Sequence, residues 1–420
     1  MAFCFNAKLT RHDVKAWTAQ LCRNRHQHPP SQCFIQRRRK LNLYAEASNS
    51  GGPRGPCVGV AWLQRNLEIS RLYDARGCIS GQFDTADSRA CSANYDAYLE
   101  GHIPGAVFVN WLSDGAAWQD RDDSCPLGCC RGGSNSGDSS SGGSGNRNSG
   151  GDGSGSREHG FRTRTLSVVV DPDVYVPCFE SRGLTADRPV VVYDIGTDMI
   201  AARVWWQLLL YGHPTPYVLA GGWQAWLAEA GESELYECCP LKLSSVYDVE
   251  PQLHYRASPT EFRLAATRAT DSRESMAQTV AVLLLPEPIS SVSKSEGAIS
   301  GNGPDDLPLA RCLSLPSLIR ACLATSTNNA GGGCSYNSCT GSSSDRNYGG
   351  VATWTSVVLG MERNALAHCM EEALGGVTVG PCSPARLLLA SPHDAALSAC
   401  AVGALLYAAG HERWAVCETW

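Results

Sequence analysis

Short, wholly apolar runs, each followed by a stretch with helical spacing, set the rhythm of this chain. Val190–Tyr193 (VVVY) reads as a buried strand, Asp194–Asp198 as a loop, Ala201–Tyr211 as a helix and Tyr217–Leu219 as the next strand. Upstream, Val58–Trp62 and Leu63–Leu67 read as strand then helix, and Leu72–Ala75 as a strand whose end carries Asp74 and Arg76. Tyr95–Glu100 is a short helix. Gly101 to Gly105 is a fixed turn, where glycine supplies free φ and Pro104 sets the exit. Ala106–Val109 then enters a buried strand. Strand, helix and strand in alternation predict a parallel sheet with crossover helices, and ligands of such sheets bind at the loop that follows a strand.

The second half looks like a worn copy of the first. A shift of 198 residues lays Leu388-Leu389 on Val190-Val191, Leu406 on Leu208, Gly410-His411 on Gly212-His213 and Val416 on Val218. Val280–Leu285 (VAVLLL) reads as a second buried strand. Leu366, Met370 and Leu374 share one helical face within Met361–Leu374. The expected organisation is a leader over 1–50, a first domain over 56–236 and a second over 250–420. Residues 131–156 hold 10 Gly and 9 Ser and are expected to be a disordered insertion. The Gly/Ser/Asn-rich stretches 286–309 and 325–350 are read in the same way.

Composition narrows the class. Hydrophobic residues at 43% and charged residues at 18% describe a globular protein, and no apolar run approaches the roughly 20 residues that span a bilayer. No membrane association is expected. Residues 1–47 hold nine Lys/Arg and two acids; removing that +7 from the whole chain's −6 leaves −13. A basic, acid-poor leader fits a mitochondrial transit peptide, with a plain cytoplasmic extension as the alternative. The acidic body argues against nucleic acid as a partner. Twenty Cys are scattered without paired CxxC knuckles, so neither a metal site nor a disulfide scaffold is expected, and a reducing compartment is the default. No cofactor is expected either, since no phosphate-cradling GxxxxGK[ST] and no HExxH occurs.

The order Trp62-Leu63, LYDAR (72–76), YLEGHIPGA (98–106), VVVYD (190–194), ARVWW (202–206) and GGWQAW (221–226) closely resembles the N-terminal half of the tandem-domain rhodaneses. These are the thiosulfate and 3-mercaptopyruvate sulfurtransferases. The resemblance implies an α/β protein of two rhodanese-like domains, each a parallel sheet of about five strands flanked by helices. It implies a monomer that takes sulfur from thiosulfate or 3-mercaptopyruvate and passes it to a thiol acceptor. It assigns Asp74, Arg76, His102, Pro104 and Gly105 to structural motifs. It also makes Asp194 a non-catalytic loop residue, standing where the second domain of such proteins carries the nucleophile.

That chemistry needs one thiolate at the mouth of a backbone cradle, with a helix N-terminus behind it to hold the persulfide's charge. The corresponding stretch here is RLLLASPHDAALSACAVGALLYAAG (386–410). The internal shift places the nucleophile at Pro392. Aligning Ser398-Ala399-Cys400 on the family's Thr-Ala-Cys places it at His393, and one further residue of slack gives Ser391. None is cysteine, and Asp394-Ala395-Ala396-Leu397 replaces the glycine-bearing run that lets the loop curl. The fallback thiols are Cys400, Cys382 and Cys417, with Cys78 behind them. Ser391, His393 and Asp394 read as a polar loop, since chain neighbours rarely converge as a triad. Two functions follow from the resemblance: a sulfurtransferase with a relocated nucleophile, or a catalytically inactive binding or scaffold protein.

Overall fold

The computed structural model describes residues 53, 55–79, 91–116, 119–120, 164–165, 169–229, 231–236, 247–248, 250–267, 278–286, 301–302, 307–329, 352–391 and 394–418. The expected leader over 1–50, the insertion over 131–156 and the candidate His393 lie outside them. Arg54–Trp420 forms one compact unit.

The first sheet is assembled from five strands. β1 (Cys57–Val58) precedes helix α1 (Val60–Asn66) and β2 (Arg71–Asp74). A hairpin of β3 (Gly77–Ile79) and β4 (Cys91–Ala93) leads to helix α2 (Tyr95–Glu100) and β5 (Ala106–Phe108). The short pair β6 (Gln119–Asp120) and β7 (Arg164–Thr165) precedes helix α3 (Pro172–Glu180). Then come β8 (Val190–Tyr193), α4 (Met199–Leu210), β9 (Pro216–Leu219) and α5 (Gly222–Glu229). The sheet order is β1-β9-β8-β2-β5, all parallel. The opening strand is two residues long rather than the five expected, because Val60 and Leu63 are buried on one face of α1 at helical spacing.

The second sheet repeats the plan. A 3₁₀ turn (Leu253–Tyr255) and helix α6 (Pro259–Thr267) precede β10 (Thr279–Leu284), β11 (Gly301–Asn302) and β12 (Arg311–Leu313). Helices α7 (Leu315–Asn329), α8 (Trp354–Gly360) and α9 (Arg363–Ala373) lead to β13 (Arg386–Ala390), α10 (Leu397–Ala408) and β14 (Trp414–Cys417). The order is β11-β12-β10-β13-β14, so β10 sits between β12 and β13 as β2 sits between β5 and β8. Where β1 pairs with β9, Arg256 makes a single parallel bridge to Val416. The fold is therefore α/β with two parallel sheets flanked by helices. One edge departs from the plan: β11 is antiparallel to β12.

Within two expected insertions the described residues include regular elements. β11 and the buried Leu307 fall inside 286–309, and α7 continues four residues past 325. Backbone pairing with Arg311 and Cys312 fixes Gly301 and Asn302, a tertiary effect that their composition does not display.

The domains meet through their crossover helices. In α4 every residue from Ile200 to Leu210 is buried, and α10 is nearly as covered. A helix that is apolar all round belongs in the middle of a protein. The two pack together, and one apolar core runs through both sheets. Gly403 makes room for this: a Cβ there would stand 2.4 Å from the Trp414 ring. Of the described residues, no helix is long and apolar enough to cross a membrane.

Candidate functional site

Each domain presents one loop between a central strand and its buried crossover helix. In the first, Asp194 is the residue after β8, and its carboxylate fills the loop that follows it. Oδ1 accepts from the amides of Gly196 (2.8 Å) and Asp198 (2.9 Å). Oδ2 accepts from the Thr197 hydroxyl (3.2 Å) and the amides of Ile200 (3.1 Å) and Ala201 (3.3 Å). The amides at the start of α4, which would otherwise bind an anion, are satisfied by the chain's own carboxylate.

The second loop solves the same problem with different residues. Ser391 follows β13, and its hydroxyl donates to Asp394 Oδ1. Asp394 Oδ2 accepts the Ser398 amide at 3.0 Å, in the first turn of α10. The Ala396 amide donates to the Ser391 carbonyl at 3.2 Å. Burial pushes the Asp394 carboxyl up from its ordinary range, opposed by these hydrogen bonds. The loop curls without glycine: Ala395 and Ala396 take φ of 56° and 62°. Each left-handed alanine costs roughly 1–2 kcal/mol. Arg203 of α4 holds this conformation from across the domain junction, donating to the Ala395 carbonyl at 2.6 Å.

The ends of the flanking elements set the two loops against each other. β8 ends at Tyr193 and β13 at Ala390, a shift of 197. The helix caps Asp198 and Ala396, at φ 61° and 62°, are 198 apart. The second loop thus carries one extra residue. Counted from the strand ends, Ser391 stands opposite Asp194.

The fallback thiols do not converge there. Cys400 is fully buried in α10, and burial pushes its thiol well up from the ordinary value. Cys417 ends β14 opposite Ala390 but is 1% exposed. Cys382 is exposed, yet it precedes β13 while Ser391 follows it. Five strand residues put about 13 Å between those ends. Cys78 is exposed on the β3–β4 hairpin. No cluster of three or more His, Cys, Asp or Glu that could hold a metal occurs among the described residues.

A family model described as rhodanese-like domain matches residues 173–229, which contain β8, the Asp194 loop, α4 and α5. Residues 173–229 are thus similar to a rhodanese-like domain. The chain is 25% identical to a 3-mercaptopyruvate sulfurtransferase of Escherichia coli strain K12 over 187 residues, 43% of this chain and 48% of that protein. It is 48% identical to the thiosulfate sulfurtransferase of Bos taurus over 52 residues, 12% of this chain and 17% of that protein. The chain thus spans about half the length of the first of these curated relatives and less of the second. A crystal structure of an Escherichia coli 3-mercaptopyruvate sulfurtransferase aligns with TM-score 0.48 at 16% identity, covering 87% of this chain and 99% of that one.

Of the remaining motif residues, Asp74, Arg76 and His102 are buried, Pro104 is half-buried and Gly105 is exposed. Asp74 holds Arg76 through Nε (3.0 and 2.9 Å) and a terminal nitrogen (2.7 Å). The same guanidinium donates to the Gly101 carbonyl at 2.6 Å and lies 4.7 Å from the Trp223 ring. His102 Nδ1 is 2.8 Å from the Tyr98 carbonyl, with the two rings stacked. Gly105, at φ 77°, donates its amide to Glu234 at 2.7 Å. Pro104 sits between them in the turn that leads into β5. The rhodanese motif residues hold β2, the turn and α5 together.

Sequence reading passed over two residues at the junction. Asp198 is buried beside Asp194, and burial together with that neighbour pushes its carboxyl up to about 7. Arg203 is fully buried, 3.2 Å from Glu418. Its signal was one cation in the mostly apolar helix MIAARVWWQLLL, where a buried charge requires a partner.

Proposed function

We propose that this protein is a rhodanese-fold binding or scaffold protein whose two crossover loops no longer carry persulfide chemistry. The observation behind this reading is Ser391. Counted from the strand ends it occupies the place opposite Asp194, and its hydroxyl and the Ser398 amide in the first turn of α10 are both engaged by the Asp394 carboxylate. A persulfide relay needs a thiolate that attacks the outer sulfur of a donor, and amides free to hold the resulting charge. Cys400 and Cys417 are covered, and Cys382 lies at the other end of β13. A monomeric state and a mitochondrial address, the latter resting on the basic leader, belong to the same proposal. A fluorescent fusion of residues 1–50 tests the address.

The deciding experiment supplies thiosulfate and 3-mercaptopyruvate, the compounds named in the relatives' activities, with cyanide or a low-molecular-weight thiol as acceptor. Sulfur transfer at the protein-free rate, with no cysteine persulfide in the peptide map, is the expected result. A persulfide on one cysteine, with turnover lost when that residue becomes serine, overturns the proposal and establishes a sulfurtransferase with a relocated nucleophile.

A further inference from the structure

Away from both loops, the second domain brings two sulfur atoms together. Cys322 lies in α7 and Cys369 in α9, 47 positions apart, with their Sγ atoms 2.9 Å from each other. Heavy atoms in ordinary contact stand about 3.5–4 Å apart, and a disulfide bond measures roughly 2.05 Å. Less than about 1 Å of further approach separates this pair from a bond. Both residues belong to the apolar core, at 0% and 3% exposure. A cysteine used only as a small apolar filler has no need to point its sulfur at another.

The two thiols are not equivalent. A hydrogen bond from Cys322 and another from Thr325 draw the Cys369 thiol below its ordinary value, against the effects of burial and the nearby Glu372. The same bond pushes Cys322 up. Either sulfur can donate in this contact, and the asymmetry favours Cys369 as the nucleophile and Cys322 as the resolving thiol.

We propose that Cys322 and Cys369 are a modification site, a reversible disulfide that clasps α7 to α9. A peroxide is the oxidant class small enough for covered thiols. With hydrogen peroxide, the Cys369 thiolate attacks one oxygen; the S–O bond forms, the O–O bond breaks, and hydroxide takes up a proton as water. Cys322 then attacks the sulfenic sulfur; the S–S bond forms, the S–O bond breaks, and a second water leaves with the Cys322 proton. Two thiols are oxidised by two electrons and one peroxide is reduced to two waters. The clasp closes a loop across the segment between the helices, and α9 packs in turn on α10, which carries the Ser391 loop.

The test uses the full chain, fully reduced and then titrated with hydrogen peroxide. Thiols left free are alkylated after denaturation, and the protein is digested without reduction. The expected result is a Cys322–Cys369 cross-linked peptide that has lost two hydrogens and is reopened by dithiothreitol. The melting temperature of the oxidised protein should rise by about 5 °C or more. C322S and C369S should each lose both the cross-link and the rise. Alkylation of both residues after oxidation, or pairing of either with a different cysteine, overturns the proposal. If a serine variant fails to fold, the wild-type peptide map decides alone.

Discussion

The Thr355 hydroxyl donates to Asp198 Oδ2 at 2.5 Å, tying α8 of the second domain to the loop that precedes α4 of the first. The adjacent Trp354 donates its indole nitrogen to the Asp198 carbonyl at 2.9 Å, and the Gly221 amide reaches Oδ2 at 3.2 Å. A carboxyl group is thus part of the domain junction itself. It is buried next to a second carboxyl, Asp194.

The pH dependence of stability follows from that placement. The unfolded chain releases the Asp198 proton near 3.8, whereas the folded protein keeps it until about 7. Between those values the folded state binds more protons, so stability is lost as pH rises through the window and levels off above it. Urea unfolding from pH 4.5 to 8 should show the wild type losing about 2–4 kcal/mol relative to Asp198→Asn. Parallel curves for the two proteins would sink the idea that Asp198 titrates at the junction.

Arg203 and Glu418 are both buried, and Glu418 also meets Arg256 at 3.3 Å and accepts the Val169 amide at 3.0 Å. Removing Arg203 takes from the buried Glu418 one of its two cationic partners. Arg203→Met should therefore destabilise by about 3–5 kcal/mol, and the double variant with Glu418→Gln should recover part of that loss. Chemical unfolding of the four proteins in the cycle measures the coupling; additive losses would mean that the pair does not act as a unit.

Asp74 makes the same case for the first domain. It is fully covered and is held by Arg76 and by the Tyr193 hydroxyl at 2.9 Å. Arg76→Met keeps the bulk and removes the charge, and should cost about 3–5 kcal/mol. Arg76→Lys should recover less than half, since a point-charge ammonium cannot serve Asp74 and the Gly101 carbonyl with the same geometry. Thermal melts of both variants separate these outcomes. A loss of under about 1 kcal/mol for the methionine variant would rule out a structural role for the pair.

The second loop can be tested by putting sulfur back. Ser391→Cys alone is expected to give no persulfide from thiosulfate, because the Asp394 carboxylate still lies against the new thiol and holds the Ser398 amide. Like charge disfavours the thiolate. Ser391→Cys with Asp394→Ala frees that amide, and persulfide at position 391 should become detectable by mass spectrometry. Persulfide in the single variant would show that Asp394 does not block the cradle.

What the sequence by itself determined is whatever rests on local pattern. Apolar runs such as Val190–Tyr193 had to be buried strands, and the turn around Pro104 had to be a turn. LYDAR, EGHIPGA and GGWQAW carry the resemblance to the rhodaneses by residue identity alone. Composition does not display the pairing of Gly301 and Asn302 with Cys312 and Arg311 at a sheet edge. Tertiary structure alone decided which residue follows β13 opposite Asp194. One extra residue in the second loop moves the register by one between strand and helix, and a single internal shift cannot follow that. Only the fold could show that Ala395 and Ala396 curl with a remote Arg203 holding them, or that Cys322 and Cys369 face each other. Those contacts join residues far apart in the chain, and no local propensity records them.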